Sequence, residues 1–312
     1  MNDGEGLVHE QLLVRDGILR DYYWLTDYNY AMDCTSMDVL PGLLSLALSN
    51  RQAGLTEPHN TALRLFNGFY EGFPSLVVDL YGRTLVVFTH KVGGEESHDL
   101  AQIVREVYLP NLDWIDCILL KQRSAVDAAG KQGGAVYGTL PDTSIVENGV
   151  TYALDPVMNQ DAGFYLDTRG VRTWLKENAG GRSVLNTFAY TGSLGVAALA
   201  GGASRVVQID RSARFLEQAR ASLRLNHLDA SKMKCTAVDF FVAAGQMRRR
   251  GESFDIVILD PPYFSVTPRG RVDQVNETTH LVNKARPLVN DGGLLGIVNN
   301  ARFLAGSAYM QE

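Results

Sequence analysis

The stretch from Ser183 to Leu225 constrains this chain more than any other. It reads as an apolar strand (Val184-Leu185-Asn186-Thr187), a turn (Phe188-Ala189-Tyr190-Thr191-Gly192) and a helix from Ser193. A second strand, Arg205–Ile209, then stops on Asp210, and a second helix runs from Ser212 to Leu225. Strands joined through helices become parallel neighbours by right-handed crossovers. A glycine turn after the first strand and a carboxylate ending the second is how a doubly wound sheet builds a nucleoside pocket. This half of the chain is therefore expected to be α/β.

The alternation continues in both directions. Spacing predicts helices at Thr168–Asn178, Phe240–Arg250 and Asn276–Leu288, and strands at Lys234–Ala237, Phe254–Leu259 and Gly293–Val298. Runs such as Ile256-Val257-Ile258-Leu259 suit strands covered by helices on both faces. Upstream the grammar differs. Short strands predicted at Ala62–Phe66, Ser75–Leu80 and Thr84–Thr89 are separated by Asn67-Gly68, Glu71-Gly72 and Tyr81-Gly82, a hairpin-like layout. A helix (Ser97–Tyr108), a strand (Cys117–Lys121) and a hairpin around Asn148-Gly149 follow. The 312 residues are thus expected to divide into an irregular, partly helical segment (1–60), an α+β linking domain (61–154) and the parallel-sheet domain (155–312).

Composition works here by exclusion. The apolar run Val39–Leu48 is broken by Pro41-Gly42 and too short to span a bilayer. No basic segment precedes an apolar one at the start, so no signal peptide is expected. Three isolated cysteines, Cys34, Cys117 and Cys235, fit a reducing cytoplasm, and the histidines form no metal-ligand spacing. A net charge of −6 argues against coating nucleic acid nonspecifically. Yet Arg248-Arg249-Arg250, Arg269, Arg271, Lys284, Arg286 and Arg302 gather in the last third, either as solvated surface or as a local cationic face.

Five features of the sequence bear chemistry. Asp210 can accept from both hydroxyls of a ribose, each charge-assisted bond contributing about 1.5–3 kcal/mol; the alternative is an ordinary carboxylate before the helix at Ser212. In the turn from Asn186 through Phe188 and Ala189 to Gly192, glycine permits backbone approach to a ligand that a Cβ would block. Val238-Asp239-Phe240 follows the third strand, where Asp239 can meet an adenine amino group with Phe240 on its ring, or simply cap the next helix. The polar and aromatic segment holding Gln160 and Phe164 is placed to fold over the same ligand. Asp260-Pro261-Pro262-Tyr263 ends a later strand; its prolines stiffen the loop and leave acceptors for an amino group on a base. Phe264 or Tyr263 can stack on that base. The alternative for this motif is a strand-terminating turn without chemistry. Together the motifs point to S-adenosylmethionine (SAM) and methyl transfer, with no metal.

With those residues in hand, the chain resembles the class I methyltransferases of the ribosomal RNA large subunit methyltransferase I and K group. The likeness rests on Gly163-Phe164-Tyr165-Leu166-Asp167, Leu185 through Gly192, Ile209-Asp210, Asp239 and Asp260-Pro261-Pro262. Arg64 through Gly68, Glu71-Gly72-Phe73-Pro74 and Val78 through Tyr81 are similar to the linking domain of the I-type enzymes. The resemblance implies a Rossmann-like sheet preceded by a smaller α+β domain, SAM as cofactor, and ribosomal RNA as substrate. The I-type enzymes carry a nucleophilic cysteine after the fifth strand; here Val298-Asn299-Asn300-Ala301-Arg302 has no thiol and is similar to the Asn-Asn-x-Arg of the K-type guanine-N7 enzymes. A base nitrogen is therefore the expected target, with Asn299 and Arg302 on the substrate side. A small-molecule N- or O-methyltransferase and a non-catalytic SAM-binding protein are the alternatives. Such sheets have seven strands, the last two a hairpin after the fifth. With 14 residues after Val298, a truncated or differently closed sheet is expected.

Overall fold

The computed structural model describes residues 36–300 other than 58 and 91, together with the backbone of two strands at 7–14 and 21–25. The chain forms two compact units, 1–31 with 170–312, and 32–169.

Strands β1 (Leu7–Val14) and β2 (Asp21–Leu25) form an antiparallel pair in the first of these units. The sequence suggests irregular chain there. Leu7-Val8-His9-Glu10-Gln11-Leu12-Leu13-Val14 lacks the two-residue alternation that marks a strand with one wet face.

The 32–169 unit is an α+β body. Its sheet has the order β3 (Ala62–Phe66), β4 (Leu76–Tyr81), β5 (Thr84–Thr89), β6 (Cys117–Gln122) and β7 (Gly134–Tyr137). Only β5 and β6 are parallel, joined by a helical crossover. Helices α1 (Leu40–Asn50), α2 (Gln52–Leu55), α3 (Gly94–Tyr108) and α4 (Ala128–Gln132) and the hairpin of β8 (Ser144–Glu147) with β9 (Val150–Ala153) complete it. Leu40, Leu44 and Leu48 of α1 meet Leu100 and Val104 of α3 over the sheet residues Leu65, Val78, Val87 and Ile118. Burying each such side chain contributes about 1.5–3 kcal/mol. Beside this core the Arg64 guanidinium grips the buried Asp79 carboxylate through two bonds, 2.7 and 3.0 Å.

The second sheet holds the parallel strands. Helix α5 (Arg169–Asn178) leads to β10 (Ser183–Thr187), α6 (Ser193–Ala200), β11 (Arg205–Asp210), α7 (Ala213–Leu225), β12 (Met233–Ala237), α8 (Phe240–Arg249) and β13 (Phe254–Leu259). An antiparallel hairpin, β14 (Phe264–Thr267) with β15 (Gly270–Asp273), then precedes α9 (Thr278–Ala285) and β16 (Val289–Ile297). The order is β12-β11-β10-β13-β16-β1-β2. The first five strands are parallel; β1 runs antiparallel to β16 and to β2. Seven strands are thus reached, with the closing pair drawn from the segment before α1. Leu185, Val207, Val257 and Leu259 pack under α8 and α9 on one face, while α6 and α7 cover the other. Consecutive residues Ile256 to Leu259 are all buried for that reason.

Strand order reverses between β10 and β13. At such a switch point the connections leave to opposite faces and open a crevice at the carboxyl ends of the strands. The sequence between β10 and α6 and the sequence after β13 both emerge there.

Candidate active site at the sheet's switch point

The turn after β10 is backbone-strained. Phe188, Tyr190 and Gly192 all have left-handed φ values, +53°, +50° and +77°. Only glycine adopts that region without cost; a non-glycine residue there costs about 1–3 kcal/mol and persists where its surroundings hold it. Those surroundings come from β11. The Ala189 N–H donates to Ile209 O at 2.8 Å, and the Tyr190 N–H donates to the Asp210 carboxylate at 2.8 Å. The other Asp210 oxygen accepts from the Ser212 N–H at 2.8 Å, while Ser212 itself caps α7. Burial pushes the Asp210 carboxyl above its ordinary pKa, and the Ser212 and Tyr190 amides pull it back.

Below the turn lies a buried amide pair that sequence reasoning missed in part. Gln208 is fully buried on β11, donating to Gly192 O at 3.1 Å and accepting from Asn186 Nδ2 at 2.9 Å. Asn186 Oδ1 is buried without a hydrogen-bond partner among the described residues. Gln208 also explains two glycines. A Cβ on Gly195 would sit 2.5 Å from Gln208 Cδ, and one on Gly192 2.7 Å from Gln208 Nε2 and 2.5 Å from the Ala219 Cβ. No sequence signal separates Gln208 from any polar residue in an otherwise apolar strand.

Asp239 caps α8, its Oδ1 accepting from the Phe241 N–H at 2.9 Å. Phe240 is only 3% exposed, its ring 4.9 Å from that of Phe188 and 5.3 Å from that of Phe241. The sequence reading of Phe240 as an open stacking surface is therefore corrected: its ring is core, and the half-buried Phe188 covers it.

The loop after β13 is braced from two later elements. Asn300 Nδ2 donates to Asp260 Oδ1 at 3.0 Å and to Pro261 O at 2.8 Å. Gln274, fully buried at the end of the β14–β15 hairpin, donates to Pro261 O at 3.2 Å and to Val298 O at 3.0 Å. Its own oxygen accepts from the Asn300 N–H at 2.7 Å. A carbonyl oxygen has two lone pairs, so Pro261 O is filled, which corrects its reading as an open acceptor. Pro262, Tyr263 and Phe264 are exposed. Asn299 lies beside Asn300 and is half-buried; Arg302 lies outside the described residues.

Gln160 and Phe164 belong to the other unit. Gln160 is exposed; Phe164 is buried, its ring 5.0 Å from Tyr152 and its carbonyl accepting from the Tyr81 hydroxyl at 2.9 Å. The chain just before Gln160 is pinned by Lys121, whose buried ammonium donates to Asn159 O at 2.7 Å and Gln132 O at 2.6 Å. Burial, with Arg123 nearby, lowers the Lys121 pKa to about 8.

Among the described residues no three or more His, Cys, Asp or Glu side chains gather as a metal site, and no helix is long and apolar enough to cross a membrane. Burial pushes the thiols of Cys117 and Cys235 up, away from the nucleophilic thiolate form; Cys235 lies on β12, four places from β16 in the sheet order, and Cys117 on β6 of the other sheet.

Residues 114–310, more than half of the chain, match the family model described as S-adenosylmethionine-dependent methyltransferase. Proteins named ribosomal RNA large subunit methyltransferase I are similar over 87% of the chain. That of Shewanella frigidimarina is 31% identical over 280 residues and that of Shewanella denitrificans 32% over 279, the chain spanning 68% of each. Among solved structures, a candidate methyltransferase complexed with S-adenosylhomocysteine is 26% identical with a TM-score of 0.79, covering 93% of this chain and 74% of that one. On a family match over more than half of its length and relatives above 30% identity, the chain belongs to the family of S-adenosylmethionine-dependent methyltransferases.

Proposed function

We propose that this enzyme methylates a nitrogen of a base in RNA, with ribosomal RNA as the substrate and the cytoplasm as its place of work. One observation carries the reading. The turn held by Asp210 and the loop carrying Asp260 leave adjacent strands, β10 and β13, on the same carboxyl edge of the sheet. Cofactor and acceptor base are thereby given neighbouring seats. The relatives named for ribosomal RNA support the substrate class.

The residues present suit an adenosyl cofactor. Asp210 offers a half-buried carboxylate at the strand end, and Asn186 a buried oxygen without a hydrogen-bond partner among the described residues, beneath a turn whose backbone amides are fixed by β11. In this reading Asp210 takes the ribose hydroxyls, Asp239 the adenine edge through the carboxylate oxygen left by its cap, and the Asn186–Gly192 backbone the methionine portion. When bound, SAM supplies an electrophilic methyl carbon whose departure leaves its bonding pair on sulfur.

The remaining work is positioning and charge. Asp260 accepts from the incoming base and fixes its plane, while Tyr263 stacks on it. Asn300 holds its amide nitrogen against two acceptors, as an amino group of a base would be held, and gives up one of those bonds when the base enters. Pro262 keeps the loop stiff; Asn299 and Arg302 flank the entry. No thiol is needed, because a base nitrogen has its own lone pair, whereas a ring carbon requires covalent activation.

The test is transfer of labelled methyl from SAM to ribosomal RNA isolated from cells lacking this gene, followed by nucleoside mass spectrometry. A base methylated on nitrogen is expected; label confined to a metabolite extract would contradict the substrate class. One structural prediction belongs beside it. Gly195→Val places its side chain in the space of Gln208 and should weaken SAM binding about tenfold while costing roughly 1–3 kcal/mol of stability. Calorimetric titration and thermal melting report the two effects separately.

A further inference from the structure

The β14–β15 hairpin has two unlike faces. Cross-strand pairing sets Phe264 opposite Asp273, Ser265 opposite Val272, Val266 opposite Arg271 and Thr267 opposite Gly270. Alternation then places Val272 and Gly270 on one face and Phe264, Val266 and Arg271 on the other. The first face is anchored. Val272 is 2% exposed within the core, and Gly270 lies so close to the Phe241 ring that a Cβ would fall 2.5 Å from it. The second face is open, with Phe264 53% and Val266 64% exposed. A hairpin with one wet face ordinarily turns polar residues outward. Here the outward positions hold an exposed ring, an exposed branched aliphatic and an arginine, with the fourth, Asp273, buried.

Charge on the same ground is positive. Arg269, at the hairpin turn, is exposed and has no ion-pair partner among the described residues. The same holds for Lys284 on α9, which packs against β15. The acids of this ground are already engaged. Glu277 pairs with Arg271, and Asp273 accepts from Asn276 and lies 4.0 Å from Arg271. Arg271 is thus fixed as a flat group beside Val266, and with Arg269 and Lys284 it makes three cations against the two carboxylates of Asp273 and Glu277, a net charge of +1. In a chain of net charge −6 such a local excess draws a polyanion to this ribbon rather than to the surface at large.

We propose that the outward face of this hairpin is a docking strip for an unpaired stretch of RNA flanking the target nucleotide. The proposal rests on the RNA reading above and extends it from the reacting base to its neighbours. Phe264 and Val266 take base faces, and Arg269 and Lys284 take phosphates. Stacking suits unpaired bases because their faces are open, whereas a duplex hides them. The strip begins one residue after Tyr263 and ends at Asp273, next to the brace Gln274. Strand occupancy therefore bears on the Asp260 loop through covalent continuity at both ends.

The experiment uses the full chain, saturated with S-adenosylhomocysteine, and a fluorescein-labelled, unstructured RNA of about 16 nucleotides read by anisotropy. The Phe264→Ser/Val266→Ser double variant is expected to bind at least about tenfold more weakly. Arg269→Ala should lower affinity and reduce the slope of log K against log salt by about one. Leu46→Ser, which removes a comparably exposed aliphatic from α1 in the other unit (60% exposed), should bind as the unaltered protein does. Affinity for S-adenosylhomocysteine should hold in all of them, showing that the fold persists. Unchanged RNA affinity in the double variant and in Arg269→Ala would overturn the docking strip alone. Equal competition by duplex RNA or by polyglutamate would also overturn it. An unaltered protein with no affinity for the probe would overturn both the strip and the RNA substrate.

Discussion

Asp210→Ala is expected to weaken SAM binding at least about a hundredfold, close to 3 kcal/mol. Two losses coincide. Charge-assisted bonds to the ribose disappear, each contributing about 1.5–3 kcal/mol. The Tyr190 amide also loses its acceptor, and with it the restraint that keeps a non-glycine residue in the left-handed region. Asp210→Asn separates the two, since its side-chain oxygen still accepts one backbone N–H but brings no charge to the ribose. Its affinity should fall between those of Asp210→Ala and the parent. Titration calorimetry reads all three; an alanine variant with undiminished affinity would place the cofactor elsewhere. Acidification should act in the same direction. Because burial raises the Asp210 pKa, its carboxylate is neutralised at a higher pH than an exposed aspartate, and SAM affinity should begin to fall above the usual carboxylate range.

Asp260→Ala is expected to leave SAM affinity within about twofold while lowering the rate of transfer roughly a hundred- to a thousandfold, the range for removing one preorganised electrostatic contact. The reason is location. Asp260 follows β13, not β11, and its carboxylate accepts from Asn300, which follows β16. A single-turnover measurement at saturating SAM isolates the transfer step. Equal losses of SAM affinity and transfer in this variant would show that Asp260 belongs to the cofactor seat. Gln274→Ala should have a milder effect on transfer than Asp260→Ala, because it loosens the loop through Pro261 without removing the contacting charge.

The parallel sheet was legible because its signals are local and repeated. Apolar strands of four to six residues alternate with helices whose starts are marked by Ser212 and Asp239, and both residues are helix caps in the structure. The place of Asp210 at the end of β11 was legible from the strand pattern alone. What escaped were the features made by distant partners. Gln208 and Gln274 are single polar residues whose importance comes from carbonyls and amides brought to them by other elements, and spacing carries no trace of that. Asn300 was seen as part of a motif, yet its role as a brace on Asp260 and Pro261 depends on the parallel pairing of β13 with β16. The hairpin after Phe264 was missed because Pro268-Arg269-Gly270 gives a weak turn signal and the strands are four residues each. The pair β1–β2 was missed for want of alternation, although its partner at the sheet edge supplies the reason for its pairing. Phe240 was misjudged because an aromatic after a strand looks alike whether it faces ligand or core; its neighbour Phe188 decides the matter.

The roles of Asp210 and Asp260 both depend on where the nucleoside lies. A crystal structure of this protein with S-adenosylhomocysteine measures that directly. The ribose hydroxyls should be within about 2.5–3.0 Å of the Asp210 carboxylate oxygens, as charge-assisted O–H···O⁻ bonds and their neutral counterparts are, with the homocysteine tail along the turn that ends at Gly192. A nucleoside seated away from the carboxyl ends of β10 and β11, with Asp210 contacting only Tyr190 and Ser212, would contradict it.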